Sequence, residues 1–228
     1  MKSVWSRKKF LIFISFLFPI YSLAQTGPLY TFDYGTDTYS SLVSPTVIDL
    51  LLPADKDPSL APDEGLSDAI PIGFTFVYNG EPYSSFKVSA NGFITFDSSL
   101  PLGTAYYTNR LSNASTQTNY PQLLLAAMWD DLHLNNGGSI GYKLTGATVG
   151  SRILKIEFFD LSFFNYSGSH LKFQVWLHEG TNIIEFRYGS DSSAMGNWDD
   201  YSGGISIGIN DERDSSFISI TPGPTPSF

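Results

Sequence analysis

Residues 70–96 read IPIGFTFVYNGEPYSSFKVSANGFITF, and this stretch decides the fold. From Ile70 to Tyr78 every second residue is apolar: Ile70, Ile72, Phe74, Phe76 and Tyr78. A period of two places these side chains on one face of a pleated strand, with that face buried and the other solvated. Asn79-Gly80 follows, and Asn-Gly pairs supply the positive φ of a tight hairpin at low cost. Asn91-Gly92 repeats the signal before Phe93 to Phe96. The stretch predicts three antiparallel strands joined by two short turns.

The same alternation recurs outward along the chain, in Ser151–Asp160, Leu171–His178, Ile183–Tyr188 and Ile205–Ile209. Asn136-Gly137-Gly138 reads as a turn ahead of a strand from Ile140 to Leu144. Glu179-Gly180-Thr181-Asn182 reads as the hairpin between the Leu171 and Ile183 strands. The sum is about ten to twelve short strands and no amphipathic helix, which predicts an all-β protein, an antiparallel, jelly-roll-like β-sandwich. Two irregular stretches, 53–69 and 97–121, are polar and read as surface loops, the first also open to a reading as disorder.

Composition agrees. The chain has 228 residues with 20 Gly and 13 Pro, which disfavours long helical bundles, and its aromatic share of 15% suits strands. Cysteine is absent, which excludes disulfides, thiolate metal sites, a cysteine nucleophile and a lipid-modified lipobox. Residues 1–24 carry a basic start (Lys2, Arg7, Lys8, Lys9), an apolar run from Phe10 to Phe18, and Ser22 and Ala24 at the small-residue positions of a cleavage site. That is a secretory signal pattern. The competing reading, a membrane anchor, is weakened by the shortness of the run and by Pro19. Removing the four basic residues of the signal leaves 9 basic against 22 acidic residues, a net of −13. So acidic a chain lacks the basic patch that nucleic acid requires, and it admits divalent cations as partners, with a simply solvated acidic surface as the plainer reading. The expected organisation is a signal peptide at 1–24, one sandwich domain at 25–220, and a Pro-rich tail or linker at 221–228, with the mature chain outside the inner membrane and without a membrane span.

Several stretches appear in a familiar order: Phe86-Lys-Val-Ser-Ala-Asn-Gly-Phe-Ile-Thr-Phe96, then Leu125-Ala-Ala-Met-Trp-Asp-Asp-Leu132, then Phe173-Gln-Val-Trp-Leu-His178 and Ile184-Glu-Phe-Arg-Tyr188. This order resembles secreted bacterial β-sandwich modules of large adhesin-like surface proteins. It is similar, more distantly, to the extracellular nidogen-like domain, with Ala127-Met128 in place of that domain's Ala-Pro before the Trp-Asp-Asp. The resemblance spans residues 70–209, and its specificity lies in the order of short apolar pieces. It implies adhesion or an architectural role and brings no catalytic residues.

The candidates for chemistry are weighed against plainer readings. Gly137–Gly141 and Gly204–Gly208 match G-x-S-x-G, but neither leads into a helix as a hydrolase elbow must. His133, His170 and His178 have no metal-site spacing and read as strand-end histidines. Glu157 and Glu185 fall on polar positions of alternating strands. They form one conceivable glycosidase pair, with surface carboxylates as the simpler reading. The acidic clusters Asp130-Asp131, Asp199-Asp200 and Asp211 with Asp214 offer oxygen ligands for a structural calcium, although none follows the spacing of a calcium-binding loop. The alternative is that they bond turn backbone, the default for Asp130. Tyr106, Tyr107, Trp198 and Tyr201 lie in expected loops, where rings could stack on a glycan or a surface protein. Trp129 and Trp176 read as core. The sequons at Asn113 and Asn165 carry little weight in a bacterial chain. The reading that emerges is a non-catalytic secreted or cell-surface module. A carbohydrate-binding module, stabilised by calcium, is the alternative, and a small secreted hydrolase is the least supported.

Overall fold

The computed structural model describes residues 30–102, 106, 109, 111, 121–164, 166–190, 205–210 and 217–219. The expected signal segment at 1–24, the expected tail at 221–228, Tyr107, Trp198, Tyr201, Asp199, Asp200, Asp211, Asp214 and the sequon residues Asn113 and Asn165 lie outside them. All the elements below belong to one compact unit, Phe32–Phe228.

In chain order the strands are β1 (Thr46–Val47), β2 (Ile70–Tyr78), β3 (Glu81–Ser89), β4 (Phe93–Thr95), β5 (Leu124–Trp129), β6 (Leu132–Thr145), β7 (Ile153–Phe163), β8 (Tyr166–His178), β9 (Ile184–Tyr188), β10 (Ser206–Asn210) and β11 (Phe217–Ser219). A 3₁₀ turn (Pro58–Leu60) and a one-turn helix α1 (Ala61–Glu64) precede β2. Two antiparallel sheets form, ordered β11-β10-β5-β4-β3-β2 and β1-β6-β7-β8-β9. The architecture is the expected all-β sandwich. Its wiring is two meanders, β2 to β5 in one sheet and β6 to β9 in the other, with fewer crossings than a jelly roll makes.

The alternation of β2 does what its period dictates. Ile72, Phe74, Phe76 and Tyr78 are buried, and the residues between them are exposed or half-buried. Asn79 (φ 52°) and Gly80 (φ 86°) make the hairpin to β3. On the facing sheet Leu154, Ile156 and Phe158 of β7 and Phe173, Val175 and Leu177 of β8 point inward, and Phe158 stacks on Phe173 with centroids 4.5 Å apart. The sheets meet through pairs such as Phe86 edge-on to Tyr142, and the Tyr188 hydroxyl donates across the sandwich to the Ala127 carbonyl at 2.6 Å. Each fully buried Phe of this core contributes about 2–3 kcal/mol of transfer free energy.

Three expectations are corrected. Asn136-Gly137-Gly138 is no turn but an irregularity inside β6, where register shifts between Leu134 and Ser139. A glycine is needed there because a Cβ on Gly138 would overlap the Asp160 carbonyl of β7. Trp176 is not core. It lies half-buried on the outer face of β8, with the Lys155 ammonium 3.5 Å and the Arg187 guanidinium 4.0 Å from its ring centroid. Glu157 also faces outward, yet it is only 3% exposed, because residues 37–45 lie across it as a strap. Its carboxylate accepts from the Tyr39 hydroxyl (2.8 Å), the Leu42 amide (2.9 Å) and the Gln174 side chain (2.9 Å). Gly141, beside Glu157 in register, leaves the room that Pro45 and Thr46 fill.

Candidate functional site

The chain passes from one sheet to the other at Trp129-Asp130-Asp131-Leu132, between β5 and β6. The Asn91-Gly92 turn holds this corner. The Asn91 side-chain oxygen accepts the Leu132 amide at 3.0 Å, and its backbone carbonyl accepts the Asp130 amide at 3.3 Å. Gly92 adopts φ 84°, and a Cβ there would overlap the Met128 carbonyl oxygen, so only glycine lets the two segments close up. Two motifs that are far apart in sequence, Ser-Ala-Asn-Gly and Trp-Asp-Asp, thus form one corner.

A third segment joins them. Asp57 caps the 3₁₀ turn by accepting the Ser59 amide at 2.9 Å, and α1 follows directly. Leu66 exchanges backbone hydrogen bonds with Leu51 at 3.0 and 3.1 Å. It is fully buried against Phe93, Tyr106, Leu124 and Trp129. Ser67 donates to the Val88 carbonyl at 2.8 Å, and Ala90 donates to the Gly65 carbonyl at 2.9 Å. This anchoring delivers Asp63 and Glu64 to the corner. Their carboxylates and that of Asp131 each offer an oxygen, and these atoms lie within 4.8 Å of one another. The stretch 53–69 is therefore an ordered arm, although its Pro-rich, polar composition also fits disorder.

The electrostatics of the three follow from crowding and partial burial. Burial first, and then the charges of Asp63 and Asp131, push the Glu64 carboxyl up to about 7. Burial and Asp63 push Asp131 up to about 6. Asp63 is raised by burial as well. His133, two residues past Asp131 on β6, is lowered by burial, against the pull of Asp131. No Lys or Arg is paired with the three carboxylates among the described residues. Three carboxylates this close are not all ionised at neutral pH unless a cation balances them. The chemistry open to the site is proton sharing or divalent-cation binding through oxygen.

The predicted site residues fare differently. Asp131 belongs to the cluster. Asp130 is buried (1% exposed) and its carboxylate accepts the Asp131 amide at 2.8 Å, the backbone role expected for it. Asp63 and Glu64 were not legible as ligands, because an acidic pair in a Pro-rich stretch has the look of a solvated loop. Their one sequence cue is Leu66, an apolar residue close behind them with a core to enter. Tyr106 is corrected: it is 3% exposed, edge-on to Phe93, and its hydroxyl donates to the Pro101 carbonyl at 2.6 Å. Its backbone carbonyl accepts the Trp129 indole N–H at 2.6 Å, so it closes the core over Trp129 and presents no ring to a ligand. The conceivable Glu157–Glu185 pair does not form a site. Glu157 is committed to the strap, and Glu185 lies against His178 (2.8 Å) and Arg187.

The fold and the site define a class: an all-β sandwich module whose distinctive polar feature is an acidic corner between its two sheets. The family model for NIDO-related (nidogen-related) domains matches residues 29–228, and the chain belongs to that family. The family is a non-enzymatic type of extracellular module. No curated protein and no solved structure matches the chain. Among the described residues no helix is long and apolar enough to cross a membrane.

Proposed function

We propose that this chain is an adhesion or architectural module of a bacterial cell-surface or secreted protein, exported through the signal at 1–24. The observation that carries the reading is the family match over residues 29–228. The fate of the carboxylates supports it, since Glu157 and Asp130 hold backbone and side-chain partners in place. The partner is an extracellular glycan or surface protein. The test is a binding screen of the purified chain against immobilised polysaccharides and matrix proteins, run with calcium and with chelator. Saturable binding to a matrix or surface protein supports adhesion. Binding to a polysaccharide that is lost on Trp198→Ala moves the reading to a carbohydrate-binding module. Turnover of any polysaccharide would overturn the non-catalytic reading.

A further inference from the structure

We propose that Asp63, Glu64 and Asp131 bind one calcium ion, which fastens the arm of residues 53–67 to the corner between the sheets. Acidic crowding is the first observation. The second, independent one is Asn91, which is fully buried (0% exposed). Its side-chain oxygen is committed to the Leu132 amide, which fixes the direction of the amide nitrogen. That nitrogen is turned toward the Glu64 carboxylate, close enough to favour its ionised form, yet it completes no well-formed hydrogen bond. Asp63 Oδ1, Glu64 Oε2 and His133 Nδ1 are buried and without a hydrogen bond as well, so four such atoms among the described residues gather at this corner. Buried polar atoms are nearly always satisfied in folded proteins, so a cluster of exceptions is a place for bound water or an ion, and beside three crowded carboxylates a cation also balances the charge. A cation here holds Glu64 ionised, as an acceptor for the Asn91 amide, which then orients it in the manner of outer-shell partners of metal ligands.

Calcium fits this donor set best. All three donors are carboxylate oxygens, drawn from a one-turn helix and the start of a strand, and calcium accepts such irregular oxygen shells. Magnesium demands a near-ideal octahedron, and zinc favours nitrogen and sulfur donors. The chain has no cysteine, and the His133 nitrogens fall outside the 4.8 Å group. The proposal goes beyond the adhesion reading and does not depend on it.

The experiment uses the purified chain stripped with chelator and titrated with calcium chloride, followed by calorimetry and by thermal unfolding. Asp131→Asn and Glu64→Gln are tested beside it, one on each side of the cluster. The expected result is one saturable site that raises the melting temperature by several degrees, and its loss in both variants. In chelator both variants melt at or above the wild type, because each removes one crowded charge, so loss of binding is separable from loss of fold. A folded wild type without saturable response up to about 10 mM calcium, weaker than extracellular calcium modules bind, overturns the proposal. So does full calcium binding by both variants, or a response to zinc alone. The outcome is read from melting and heat, separately from any glycan or matrix binding.

Discussion

At the scale of single residues the corner depends on a few positions with no substitute. Gly92 combines φ 84° with a backbone oxygen where a Cβ would go. Gly92→Ala is expected to cost about 3 kcal/mol or more, read as a lower urea midpoint, since both backbone strain and overlap act at once. An unchanged midpoint would show that the turn relaxes freely. Titration gives a second prediction. Glu64 rises from its ordinary 4.5 to about 7, and Asp131 from 3.8 to about 6, so the folded state holds these protons more tightly than the unfolded chain. Their contribution to stability is therefore full below pH 4 and lost as pH rises through about 6 and 7. Asp63 faces them from α1 and acts in the same sense, while His133, lowered by burial, acts in the opposite sense and offsets part of the fall. In chelator the melting temperature should fall between pH 4 and pH 7.5, and Glu64→Gln should flatten the fall. A wild-type profile that is flat or rising there would contradict the crowding described.

The strap is the element that most changes the surface. Residues 37–45 have little regular structure of their own, and they are held by side chains of the five-stranded sheet. Gln174 donates to the Ser40 carbonyl (3.0 Å), Lys143 to the Val43 carbonyl (2.6 Å), and Arg187 pairs with Asp37. Glu157 is the centre of this set, and the phenol of Tyr39 beside it is pushed far up by burial and by that carboxylate. Glu157→Ala leaves three donors without their acceptor, at a cost of about 3 kcal/mol. Limited proteolysis should then cut between Asp37 and Pro45 while the far-ultraviolet circular dichroism stays that of the wild type. Cleavage no faster than in wild type would mean that β1 alone holds the segment.

Across the whole molecule the corner joins the two sheets, so its loosening should be felt everywhere. Trp129 is fully buried there, packed on Phe93 at 5.2 Å and covered by Tyr106. Trp129→Ala should cost about 4 kcal/mol, since it removes the largest buried side chain and leaves a cavity. Unfolding followed by fluorescence and by circular dichroism should coincide, in chelator as in calcium, because the arm, the turn and both sheets share this cluster. Separate transitions would show that the arm melts alone.

The sequence by itself determined the class of fold. A period of two and Asn-Gly turns are local signals, and a strand that buries one face has little choice of partner surface. β2, β3, β4, β8 and the hairpin at 179–182 were legible for that reason. What the sequence did not carry was which outward-facing residue meets which distant segment. Glu157 has the alternation of a surface residue, and only the strap laid over it makes it buried. Tyr106 stands in a polar stretch, and only its own docking over Trp129 takes its ring from solvent. Asp131 was legible as half of an acidic pair, but its companions Asp63 and Glu64 come from an arm whose composition says loop. Their meeting depends on Leu66 entering the core and on Asn91 holding the corner, contacts between residues remote along the chain. Periodicity reports the exposure of one element at a time, whereas a site arises where several elements close on one point, and tertiary packing alone decides that.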